Sequence, residues 1–198
     1  PTLLNKLRSG ENPLPWEPHL ILPGSVFYFS TLTEPVRYSD VIFVTVPTPL
    51  VGKRLDSQVV ASVVIEIRYI SPQVTVAIVS TLDPRGAEKV CYTPETIYNP
   101  VLIRLGHVID DLRYADLLLI GSCRGEDSEQ VKQVEDIWLP PLQSGHLRTK
   151  EPTVVKSDVK TIAVAKLAIN VTLSQRVAWA NALEETCKQA GAKPAEVL

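Results

Sequence analysis

Lys166 and Asn170 stand four residues apart in an Ala- and Leu-rich run, so on a helix they share one face. An ammonium and an amide that converge on one point can stabilise a developing oxyanion. The same two residues on an interface helix can instead be a snorkelling lysine and an asparagine that caps a contact. Ser80-Thr81 and Val46-Pro-Thr-Pro49 each end a β-branched apolar run. A hydroxyl at such a strand end either faces a ligand or braces a turn. Cys91, Cys123 and Cys187 are odd in number and far apart, which argues against a disulfide framework and against a Cys-rich zinc site. A reducing, cytoplasmic setting follows as the expectation, with no metal.

The elements that must position these residues are short and alternate in type. Val26-Phe-Tyr-Phe-Ser30, Val41-Ile-Phe-Val-Thr-Val46, Val74-Thr-Val-Ala-Ile-Val79 and Leu117-Leu-Leu-Ile120 read as buried strands. Thr33 to Tyr38 leaves room for one or two helical turns. After Asp56, a good N-cap, Val59, Val60, Val63, Val64 and Ile67 fall on one helical face. Propensity alone favours a strand there, and the spacing overrides it. A helix of roughly three turns is expected from Asp127 to about Ile137, its acidic start suiting the helix dipole. The longest element runs from Asp158 to Ala190, with Gly191 at the C-cap position and Pro194 beyond. At 1.5 Å per residue it would reach roughly 45 Å, a length suited to bridging domains or subunits.

Strands alternating with helices predict an α/β fold with a mainly parallel sheet covered on both faces. The 198 residues are 45% apolar, enough for one core and the start of a second unit. Lys+Arg 20 against Asp+Glu 22 gives a net charge of −2, and the cations are scattered singly. No nucleic-acid partner is expected from such a surface. No apolar stretch reaches a membrane span, and Pro1 to Gly10 has no signal-peptide pattern, so no membrane partner is expected. The 16 prolines fall mostly between apolar runs and punctuate elements.

Three stretches together resemble the UDP-glucose/GDP-mannose dehydrogenase family. Asp40-Val-Ile-Phe-Val-Thr-Val-Pro-Thr-Pro49 is similar to that family's strand ending in V-x-T-P. Tyr98-Asn-Pro-Val-Leu-Ile-Arg-Leu-Gly106, with Asp111 and Asp116-Leu-Leu-Leu-Ile-Gly121, is similar to its N-P-E-F-x-x-x-G segment, downstream aspartate and next strand. Ala165-Lys-Leu-Ala-Ile-Asn170, with Asn181, is similar to its K-x-x-x-N helix. Fainter likenesses are Gly10, Pro13 and Glu17-Pro-His-Leu20 to L-x-x-G-x-x-P-x-x-E-P-x-L, and Ser80-Thr81 to a post-strand S-T. Each motif alone is common. Five in order over nearly the whole chain point to shared ancestry, which is not the same as shared activity.

The resemblance implies a Rossmann-like sheet and NAD as cofactor, with a UDP- or GDP-sugar alcohol oxidised to the uronate. It places Val46, Pro47, Thr48 and Ser80 at the dinucleotide. It gives catalytic roles to Thr81, Lys166 and Asn170, the last two at the oxyanion. It takes residues 1–150 as a partial NAD-binding domain and 151–198 as the long helix of a central dimerisation region. The exposed edge of an incomplete parallel sheet needs covering, which favours a homo-oligomer or a larger complex.

Four departures cut against turnover. None of the nine glycines forms G-x-G-x-x-G, so the first βαβ unit is expected to be missing. The glutamate of N-P-E-F is Val101, which cannot exchange a proton. Glu95, six residues upstream, would replace it only if the loop were rerouted. The family's nucleophilic cysteine, in G-F-G-G-x-C beyond the long helix, has no counterpart before Leu198, and Cys91, Cys123 and Cys187 do not fit the role. The nucleotide-sugar-completing C-terminal domain is likewise expected to be absent, and Ala163 stands where the family often has a glutamate. An incomplete Rossmann-like member, inactive as an isolated chain, is the reading these residues favour. A non-catalytic assembly module is the alternative, and a nucleotide-sugar-binding regulator without turnover is a third.

Overall fold

The computed structural model describes residues 26–104, 106–143 and 152–197. The fainter family likeness between Asn5 and Leu20 therefore lies outside the described residues. Five strands form the main sheet: β1 (Val41–Val44), β4 (Thr75–Ile78), β5 (Thr96–Tyr98), β6 (Leu117–Gly121) and β7 (Thr153–Ser157), side by side in that order. Neighbours run parallel except β5 and β6, which meet antiparallel at Tyr98 and Gly121. A separate two-stranded ribbon, β2 (Leu50–Val51) with β3 (Arg54–Leu55), follows the Pro47-Thr-Pro49 loop.

Alternation along each strand sends successive side chains to opposite faces and so builds two cores. Val76 and Ile78 of β4 and Leu119 of β6 join Val60, Val64, Ile67, Leu82, Ile162 and Ala163 on one face. Ala77, Leu118 and Ile120 point the other way, against Val131 and Val134. All four residues of β4 are buried, which is why Thr-Val-Ala-Ile carries no polar alternation.

Helices α1 (Thr33–Arg37), α2 (Gln58–Ile70), α3 (Pro84–Val90), α4 (Val108–Arg113), α5 (Glu129–Gln143), α6 (Val159–Ala190) and α7 (Pro194–Val197) complete the fold. Helix α2 buries Val60, Val64 and Ile67, the i, i+4, i+7 stripe, while Val59 is left exposed. Its N-cap is Ser57 rather than Asp56. The Asp56 carboxylate sits one residue earlier and accepts the Gln58 N–H at 2.9 Å. Helix α3 starts on a side-chain cap, Asp83 Oδ1 accepting Gly86 N–H at 2.7 Å, with Pro84 at the first turn. Asp158 caps α6 in the same way through Thr161 N–H at 3.0 Å, and Gly191 closes it at φ +70°. The Thr161 side chain and amide, both donating to Asp158, hold that carboxyl below the usual range.

Two expectations fail. Val26 to Ser30 is irregular and largely exposed, with Phe27 81% exposed. No described strand offers it a ladder, and β-propensity without a partner does not make a strand. Helix α5 also runs past Ile137 through Pro140 and Pro141 to Gln143. Proline's fixed φ is compatible with a helix, and so close to its end the two prolines remove only the last i→i−4 bonds.

Helix α6 has 32 residues, about 48 Å of helix. Val159, Ile162, Ala163 and Lys166 of its first two turns are buried, seated against β6 and α3. Residues 171 to 179 are exposed throughout. Among the described residues no helix is long and apolar enough to cross a membrane.

Candidate functional site

A cavity of about 830 Å³ opens at the carboxyl ends of β1, β4 and β5, where open α/β sheets take their ligands. Three post-strand loops form its wall: Thr45 to Thr48 after β1, Val79 to Thr81 after β4, and Val101 with Ile103 after β5. Helix α6 contributes Lys166 and Asn170, α5 contributes Ile137 and Trp138, and α4 contributes Val108 and Leu112. Val46, Pro47, Thr48, Ser80, Thr81, Lys166 and Asn170, all singled out in the sequence, thus line one space.

The loops are tied to one another by their own hydroxyls. Thr48 Oγ1 donates to the Thr81 carbonyl at 2.8 Å, and Ser80 Oγ donates to the Val46 carbonyl at 2.6 Å. Each hydroxyl proton is committed to the backbone, so Thr48 and Ser80 brace the wall and offer a ligand only lone pairs. Tyr98, fully buried below the loops, accepts the Leu82 N–H at 3.0 Å, and burial pushes its phenol up to about 12.

Asn99 is fully buried at the head of the β5 loop. Its amide donates to the Leu119 carbonyl at 2.9 Å and its carbonyl accepts Trp138 Nε1–H at 2.7 Å. The Trp138 ring then meets Phe43 edge to face, centroids 6.0 Å apart. Farther along this loop the Arg104 amide and guanidinium both reach Asp111, at 2.6 and 2.7 Å. That side-chain bond holds the Asp111 carboxyl low, and it pins the loop carrying Ile103 onto α4.

Lys166 is 6% exposed, and its ammonium donates at 2.6 Å to the Val101 carbonyl. No carboxylate among the described residues pairs with it. It is therefore neither a snorkelling lysine nor half of an ion pair. Burial alone lowers its pKa. Because the folded pKa lies below the unfolded value, the unfolded chain holds more protons between the two, and stability rises with pH across that interval. Below the folded pKa the whole destabilisation is present. Lys166→Met is expected to raise unfolding free energy by about 1 kcal/mol near neutrality, where an apolar isostere replaces a buried charge. It should also flatten the alkaline rise. Urea denaturation at pH 7 and pH 10 measures both, and an unchanged pH slope in the variant would exclude this account.

Two other candidates lie elsewhere. Glu95 immediately precedes β5, at the opposite end of the sheet from the cavity, so it does not stand in for a glutamate at 101. Cys123 follows β6, which runs against β5, and its exposed thiol is not among the lining residues, while Cys91 and Cys187 are buried. Among the described residues no group of His, Cys, Asp or Glu could hold a metal ion. The apolar lining from α4 and α5 went unforeseen, because Val108, Leu112, Ile137 and Trp138 look like ordinary core positions in sequence.

Residues 21–140, more than half of the chain, match the family model described as UDP-glucose/GDP-mannose dehydrogenase family, NAD binding domain. The chain belongs to this family. UDP-glucose 6-dehydrogenase 1 of Oryza sativa subsp. japonica is 28% identical over 196 residues, covering 87% of this chain and 38% of that protein. UDP-glucose 6-dehydrogenase of Drosophila melanogaster is 24% identical over 197 residues, 87% of this chain and 39% of its own. The chain thus spans about two fifths of the length of these relatives. A GDP-mannose dehydrogenase from Pseudomonas aeruginosa shares the fold at TM-score 0.76 and 20% identity, over 98% of this chain and 47% of that one. For this family member NAD is accordingly the cofactor indicated by resemblance, and the long-helix, mainly parallel architecture agrees with its structural neighbours.

Proposed function

We propose that this chain forms the wall of a nucleotide-sugar dehydrogenase-like site that holds a ligand without turning it over by itself. The observation that carries this is the Lys166 ammonium on the Val101 carbonyl, at the position where the family motif has a glutamate. Thr81, Lys166 and Asn170 are suited to orient and polarise a ligand oxygen. A valine beside them cannot accept the proton an alcohol must lose. NAD, when bound, supplies a hydride acceptor. The hydroxyls and apolar walls of the Val46–Thr48 and Ser80 loops fit a ring and its ribose. Among the described residues no glycine-rich turn lines the cavity to hold a pyrophosphate, so that part of the fit is lacking.

In this reading residues 1–150 are a partial dinucleotide-binding domain and 151–198 lead into a shared helical region, in a cytoplasmic protein. A second reading, an assembly module, is supported by Val171, Leu173, Val177 and Trp179, which leave α6 with exposed apolar side chains. The isolated chain is expected to bind UDP-glucose or GDP-mannose by calorimetry, and to produce no NADH from either when absorbance at 340 nm is followed. Measurable sugar oxidation would overturn the loss of turnover. Absence of any sugar-nucleotide binding would leave the assembly reading in place.

A further inference from the structure

We propose that this cavity selects its ligand by a carboxylate, taking an acid in preference to the alcohol of the same skeleton. The proposal rests on the reading of the cavity as a ligand site and adds the chemistry of what enters it. Sixteen described residues line the space, and Lys166 is the single ionisable side chain among them. Its ammonium has three donors, one of them on the Val101 carbonyl. The rest of the charge is uncompensated, in a wall of Phe43, Val79, Ile103, Leu112, Ile137 and Trp138. A cation taken out of water and left unpaired is costly, and a ligand anion that completes it is favoured far more than the same anion is at a wet surface.

Charge count narrows the class. One cation balances one negative charge, so a monoanionic group set against Lys166 leaves that contact neutral, whereas a phosphate dianion in the same place would carry one charge unmatched. Among the described residues no further Lys or Arg lines the space to receive it. A carboxylate also offers two oxygens, one for the Lys166 ammonium and one for the Asn170 amide four residues along the same helix face. With glutamate at 101 the pocket would be internally neutral and suited to an alcohol. With valine there, a carboxylate on the ligand takes the place of the missing internal one and is preferred.

Calorimetry on the full chain with two matched pairs tests this: UDP-glucuronate against UDP-glucose, and phenylacetate against 2-phenylethanol. Each acid is expected to bind at least about tenfold more tightly than its alcohol. Both Lys166→Met and Val101→Glu are expected to bring the ratio near one, the first by removing the cation and the second by supplying an internal carboxylate. Circular dichroism confirms that the variants are folded, and the two changes reach the same end by opposite charges. Equal binding of UDP-glucuronate and UDP-glucose would overturn the carboxylate preference and leave the nucleotide-sugar reading standing. Preference within the phenyl pair, with neither UDP compound bound, would do the reverse. A preference that survives Lys166→Met, or no binding in either pair, overturns the proposal.

Discussion

Replacing Asn99 with leucine is expected to lower the unfolding free energy by about 3 kcal/mol, because a buried carbonyl and a half-buried indole N–H lose their partner together. The Asn99 amide satisfies the Leu119 carbonyl, on β6, and the Asn99 carbonyl satisfies Trp138 Nε1, on α5. One side chain therefore joins β5, β6 and α5 at the point where the sheet reverses direction. An antiparallel pair that meets at Tyr98 and Gly121 has few ladder bonds of its own there, and Asn99 supplies the missing link. Leucine keeps the heavy-atom branching and so leaves no cavity, while its larger methyls add some overpacking to the loss. Each orphaned group costs about 1–3 kcal/mol when buried. Urea denaturation with a two-state fit measures the loss. A change below about 1 kcal/mol would mean that water reaches both groups, and would remove Asn99 from its place as the joint. Since Trp138 also lines the cavity, ligand affinity should fall with it.

The sequence showed some of this and hid the rest, for physical reasons. Strands β1, β4 and β6 are continuous β-branched and Leu-rich runs because both faces of the sheet are covered, and such runs stand out. Helix α6 was legible at both ends, since Asp158 and Gly191 satisfy backbone groups that any helix leaves open. Strand β5 is three residues long, and α3 and α4 are seven and six, too short for a period to register. Strand β7, Thr-Val-Val-Lys-Ser, is only partly buried at the sheet edge and reads as loop without its partner β6. Val26 to Ser30 shows the opposite error, a strand-like composition with nothing described to pair with it.

The candidate site divides in the same way. Thr48, Ser80, Thr81, Lys166 and Asn170 were visible because strand ends and helical spacing fix where they stand. That Lys166 would be buried on a carbonyl was not visible, since burial of a lysine depends on what packs over its stem. The contribution of α4 and α5 depends on the reversal between β5 and β6, which no local pattern announces.

Gly121→Val is expected to cost about 3 kcal/mol, and Gly121→Ala about 1, because β6 ends directly beneath the start of α6. A Cβ built on Gly121 would lie 3.1 Å from the Val159 Cα, 3.2 Å from the Ile162 Cβ and 3.3 Å from its Cγ1. The nearest of these is backbone, which cannot rotate away. Nor can the helix start withdraw freely. Gly121 pairs with Ser157 in the ladder, Ser122 N–H donates to the Ser157 carbonyl at 3.0 Å, and Asp158 caps the helix one residue later. Glycine here marks a close approach of backbones rather than a turn. Alanine asks its neighbours for a few tenths of an ångström. Valine adds two methyls where Ile162 is fully buried, so α6 must tilt or β7 must leave the sheet. Lys166 lies one turn beyond Ile162, so a tilt also draws its ammonium off the Val101 carbonyl and opens the cavity floor. Denaturation midpoints for the two variants, read beside the acid-to-alcohol binding ratio, separate these consequences. If Gly121→Val stays within 1 kcal/mol of the native chain and keeps the ratio, the seat of α6 on β6 does not hold the site in place.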